Sequence, residues 1–71
     1  MNNKSVWYNK FVWIVTGGSD NGDVILGVYD TSEAAHSLAK HMEDNVTEDH
    51  YYVLDGVKYL SVIVRQYAVN L

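Results

Sequence analysis

Only one stretch of this chain has the periodicity of a helix, and it sits in the middle of strand-like sequence, which leaves few folds open. Ala35, Leu38, Ala39, Met42 and Val46 recur at helical spacing, while Ser37, Lys40, His41 and Asp44 fall on the opposite side. Ahead of them, Asp30-Thr31-Ser32-Glu33 reads as a capping box. Asp30 is the expected N-cap and Glu33 reaches back from the third helical position, both carboxylates suiting the positive end of the helix dipole. The pattern predicts one amphipathic helix over residues 31–43.

Strand signals flank it on both sides. Residues 10–16 (KFVWIVT) are β-branched and aromatic and run into Gly17-Gly18. The strand is expected to reach back toward Val6. The segment from Gly17 to Asp23 is almost wholly turn-forming and predicts a flexible loop, after which residues 24–29 (VILGVY) return as an antiparallel partner. Beyond the polar connector 43–49, residues 51–54 (YYVL) read as a third strand. Asp55-Gly56 is a hairpin dipeptide, and residues 58–69 form one long final strand. The predicted architecture is α+β, of ββαββ type: one antiparallel four-stranded sheet with the helix packed on one face, residues 1–71 making a single domain.

A single helix covers only one face of a sheet, and a one-sided sheet alternates apolar with polar residues. This sequence does not alternate. The first strand sets Phe11, Trp13 and Val15 against Val12 and Ile14; the last sets Tyr59, Ile63 and Tyr67 against Leu60, Val62 and Val64. The second face is therefore expected to be a subunit interface or a docking site. The segment around Trp7 and Tyr8 folding over it is a further option, less favoured because large exposed apolar patches are rare on monomers. Phe11, Trp13 and Tyr59 are the candidate interface residues, and a homodimer is the expected assembly.

Composition narrows the function classes. Seventy-one residues without cysteine exclude disulfides and thiolate metal sites, and a chain this short has a marginal core of its own. No apolar run is long enough to span a bilayer, so the cytoplasm is the expected location. His36 and His41 are five apart, off the three- or four-residue spacing of helical metal pairs, and His50 has no partner at a recognisable spacing. Gly17, Gly18 and Gly22 join two strands rather than a strand and a helix, and two aspartates among them would repel phosphate. No nucleophile motif is present, so no enzyme, cofactor or metal is expected.

Charge is more informative. All nine carboxylates lie between Asp20 and Asp55 with Lys40 as the one cation among them, a net −8, while Lys4, Lys10, Lys58 and Arg65 occupy the ends. Glu43, Asp44, Glu48 and Asp49 form the densest group and are the candidate protein-binding residues, suited to a basic partner such as a nucleic-acid-binding protein. The competing account is a solubilising connector. Nine aromatic residues, with Lys10, Lys58 and Arg65, also allow a single-stranded nucleic-acid platform, which the net charge of −4 opposes. A structural subunit of a larger assembly is the third reading.

Trp13, the loop from Gly17 to Asp23, Gly27-Val28-Tyr29, Asp30-Thr31, Glu33 and Ala34-Ala35 together resemble a pattern in small ββαβ(β) proteins of phages and bacteria. The resemblance implies the same hairpin handing over to a capped, alanine-rich helix. It further implies a small acidic protein without catalytic activity that binds and inhibits a host factor, nucleases of defence systems included, in the host cytoplasm.

Overall fold

The structure, a computed structural model, describes residues 9–70, with the backbone alone for Asn9 and Asn70. The elements follow as β1 (Asn9–Ser19), β2 (Gly22–Tyr29), α1 (Ser32–Glu43), β3 (Tyr52–Leu54), β4 (Val57–Tyr59) and β5 (Ser61–Asn70). The α+β class and the antiparallel pairing are as expected, but the single four-stranded sheet is not. β1 lies at the centre of a three-stranded sheet in the order β2-β1-β5, and β3 pairs with β4 in a separate two-stranded sheet. The extension toward Val6 and the segment around Trp7 and Tyr8 lie outside the described residues.

The expected final strand breaks at Leu60, and Gly17 shows why. A β-carbon on Gly17 would lie 2.6 Å from the Tyr59 ring, so the ring occupies the space that a side chain on β1 would need. Tyr59 is only 8% exposed, and the Leu60 N–H donates to the Gly18 carbonyl at 2.7 Å. The chain bends there, dropping the β3–β4 hairpin onto the helix side of β1 while β5 runs on beside β1. Asp55 and Gly56 both take positive φ (51° and 80°), the type I′ geometry whose twist matches the strands it joins.

The loop expected between Gly17 and Asp23 shrinks to Asp20 and Asn21, since β1 continues to Ser19 and β2 starts at Gly22. Ser19 closes this turn by donating its hydroxyl to the Gly22 carbonyl at 2.7 Å while accepting from the Asn21 N–H. Gly22 at φ 109° supplies the one positive-φ position the turn requires. Gly17 and Gly18 are thus strand residues chosen for close packing, not for looseness.

The helix begins one residue later than a capping box at Asp30 predicts. Thr31 is the N-cap: its Oγ1 accepts from the Ala34 N–H at 3.2 Å, and Asp30 is an exposed bend residue. Ala34 therefore holds the position at which a box needs Glu or Gln, so there is no reciprocal bond; Glu33 keeps its place in the first turn. Ala35, Ala39 and Met42 face the sheet and are buried as expected. Leu38 is half-buried, and Val46 is exposed beyond the helix end. Together with Val15 and Tyr59 these three form the buried core of the described residues.

Candidate protein-interaction surfaces

Which strand residues face the helix follows from register. Directly paired residues of an antiparallel ladder share a face. Val15 is fully buried under α1 and pairs with Val64 and Gly27, and Trp13 pairs with Gln66 and Tyr29. The odd-numbered positions of β1 (Phe11, Trp13, Val15, Gly17) therefore lie on the helix side. The register between β1 and β2 shifts between Val15 and Thr16, so Leu26 is an extra residue on β2. A β-carbon on Gly17 would also meet Leu26, which places that side chain on the helix side as well. The bulge thus accounts for apolar residues on both parities of β2.

The opposite face has no layer over it among the described residues. Val12 pairs with Tyr67, Ile14 with Arg65 and Val28, and Thr16 with Ile63 and Ile25. Six of these side chains are apolar and spread across all three strands, with Thr16 and Arg65 set among them; Ile25 is 64% and Val28 56% exposed. Ile63 and Tyr67 are exposed too. Its charges sit on and around the apolar patch: Arg65 on β5, Lys10 toward the chain start, Asp23 at the other end. Past Trp13 the sheet narrows, because β2 ends at Tyr29, and among the described residues Asn9–Val12 pair with Tyr67–Asn70 alone. Two-stranded ribbons are marginal in water, yet this one carries the exposed rings of Phe11 and Tyr67.

The residues singled out from sequence map onto this arrangement unevenly. Tyr59 belongs to the core and leaves almost no surface for a partner. Trp13 is half-buried on the helix side, and Phe11 is exposed on the ribbon, also on the helix side. The open face is instead carried by Val12, Ile14, Ile25, Val28, Ile63 and Tyr67. The signal for them was present as apolar residues at both parities. The bend at Leu60 hid it, because it moves Tyr59 out of the face it would share with Ile63 and Tyr67 in a continuous strand.

Glu43, Asp44, Glu48 and Asp49 are all exposed and belong to the helix layer rather than to the open face. Glu43 ends the helix, and Asp44 is its C-cap, donating its N–H to the Lys40 carbonyl at 2.8 Å. The Lys40 ammonium approaches the Asp44 carboxylate at 3.6 Å, a solvated pair worth little. Two acids at the negative end of the helix dipole oppose it, offset in part by Lys40 and His41 in the last turn. Glu48 and Asp49 stand at the tip of a turn pinned by Thr47. Its N–H donates to the Tyr51 carbonyl, its carbonyl accepts from the His50 N–H, and its hydroxyl accepts from the Tyr51 N–H.

Elsewhere, Lys58 lies 5.5 Å from the centre of the Tyr51 ring. His36 Nδ1 lies 2.9 Å from the Ser32 carbonyl. Among the described residues no three His, Asp or Glu side chains come together as metal ligands would, and no helix is long and apolar enough to cross a membrane.

A family model for a domain of unknown function, DUF7336, matches residues 10–58. The chain belongs to the DUF7336 family. The match takes in β1, β2, α1, β3 and the Asp55-Gly56 turn and stops within β4, so β5 lies beyond the matched segment of this DUF7336 protein. No significant match was found among curated proteins or solved structures.

Proposed function

We propose that this DUF7336 chain is a protein-binding module without catalytic activity, which buries the open face of β2-β1-β5 against another protein. The observation that carries the reading is that face: six apolar side chains from three strands, uncovered by any other described residue, beside a buried core that comprises five of the described residues. Removing such a surface from water contributes about 25 cal/mol per Å² before the costs of association. Glu43, Asp44, Glu48 and Asp49, on the other layer, form a second contact suited to a basic partner. Inhibition of a host factor, implied by the resemblance to small phage proteins, is the particular role we attach to that contact.

The nucleic-acid reading has less support. Lys10 and Arg65 do lie on the open face, but Tyr67 is the one aromatic side chain there among the described residues, whereas Phe11 and Trp13 lie on the helix side. A stacking platform needs several rings on one face.

The test is capture from a nuclease-treated host lysate by the immobilised chain and by two sets of variants. Ile25→Lys with Val28→Lys should abolish capture of any stoichiometric partner while the far-ultraviolet circular dichroism stays unchanged. Reversal of Glu43, Asp44, Glu48 and Asp49 to lysine should remove partners that also elute at moderate salt. Capture indifferent to Ile25 and Val28 would overturn the open-face reading, and salt-sensitive retention of single-stranded oligonucleotides would replace it.

A further inference from the structure

We propose that two copies of the chain associate by pairing their β5 strands edge to edge, antiparallel about a two-fold axis at Gln66. β5 is an outer strand of the β2-β1-β5 sheet, and no described strand pairs with its far side. The two edges of this sheet differ in kind. On β2 the ladder is interrupted by the bulge at Leu26, a device that discourages pairing. On β5 ten residues pair with β1 from Gly18 to Asn9 without a register shift, and no proline interrupts them. An even, ten-residue edge is a template for another strand, and an antiparallel strand about a two-fold is its own complement.

Arg65 selects the register. Centring the axis on Arg65 would set two guanidinium groups directly opposite, which is unfavourable. Centring it on Gln66 places Arg65 opposite Tyr67 of the second copy, a cation beside a ring, and Ile63 opposite Val69. Val64 then meets Ala68, and residues 62–70 are paired throughout. Arg65, Gln66, Tyr67 and Ala68 are all exposed in the single chain, as this geometry requires. The product is a continuous six-stranded sheet in the order β2-β1-β5-β5-β1-β2, with the two open faces side by side. This association uses the strand edge and stands apart from the partner proposed for the face.

The absence of native cysteine gives a direct test. Directly opposed residues have Cα atoms about 4.5–5.5 Å apart, within disulfide range, whereas diagonal neighbours at about 7–8 Å are beyond it. The Gln66→Cys chain should oxidise to a covalent dimer with diamide, and the Arg65→Cys chain should not. In sedimentation equilibrium, Gln66→Lys and Gln66→Glu should each dimerise roughly two- to fivefold more weakly than the natural chain, the scale of one opposed like-charge pair. An equal mixture of the two should recover the natural affinity. A chain monomeric at every concentration, or one that cross-links through position 65 and not 66, would overturn the proposal. Neither result bears on Ile25 and Val28, so it fails separately from the open-face reading.

Discussion

Gly17 is the residue on which the hairpin depends. The Tyr59 ring rests where its β-carbon would be, so any side chain there must push the ring out of a buried site. Gly17→Ala should cost about 1–3 kcal/mol, the usual penalty of overfilling a packed site, measured by urea denaturation. Combining it with Tyr59→Ala should cost less than the sum of the two single changes, because the clash disappears with the ring. Thr31 is the second position where one atom decides an element. Loss of its hydroxyl in Thr31→Ala should cost about 1 kcal/mol, while Asp30→Ala should fall within about 0.5 kcal/mol of no change. The reverse result would restore Asp30 as the cap.

At the scale of elements, the end of α1 has a charge pattern that folding does not favour. Glu43 and Asp44 sit where the helix dipole prefers cations. Glu43→Lys should therefore raise stability by about 0.3–1 kcal/mol, read as a higher midpoint in denaturant, while weakening any partner held by the acidic group. A gain in stability with no loss of binding would mark those acids as mere solvation. The other elements are shaped by two irregularities: the extra residue at Leu26 turns that side chain inward, and the bend at Leu60 divides one predicted strand into β4 and β5. Both reassign which side chains share a face without changing where the strand sequence lies.

For the whole molecule, the mismatch between core and surface is the dominant fact. Among the described residues Val15, Ala35, Ala39, Met42 and Tyr59 are the buried apolar ones, while Phe11, Val24, Ile25, Val28, Ile63 and Tyr67 are among those left exposed. So small a core gives little net stability once conformational entropy is opposed. Stability is thus expected to depend on what covers the exposed strands. The thermal midpoint should rise with chain concentration, as mass action demands when only the folded form associates. The Gln66→Lys chain should lose that dependence in part. A midpoint independent of concentration would mean that the single chain is sufficient by itself.

Much of this protein is determined locally and so could be read from sequence. The one helix follows from the spacing of Ala35, Ala39 and Met42, the β1–β2 hairpin from its β-branched runs, and the tight turn from Asp55-Gly56, a dipeptide that tolerates the positive φ a two-residue hairpin needs. The existence of a second apolar face was also legible, because parity is a property of the chain alone. Which residues make up that face was not. It is decided by the approach of Tyr59 to Gly17, the bulge at Leu26 and the bend at Leu60. These are contacts between residues distant in sequence, or backbone irregularities that no local pattern announces. Side-chain period in a strand is two, so a single inserted or bent residue transfers everything after it to the other side. The tertiary structure therefore placed Tyr59 in the core, and put Ile25, Val28 and Ile63 on the surface the sequence had promised to the aromatics.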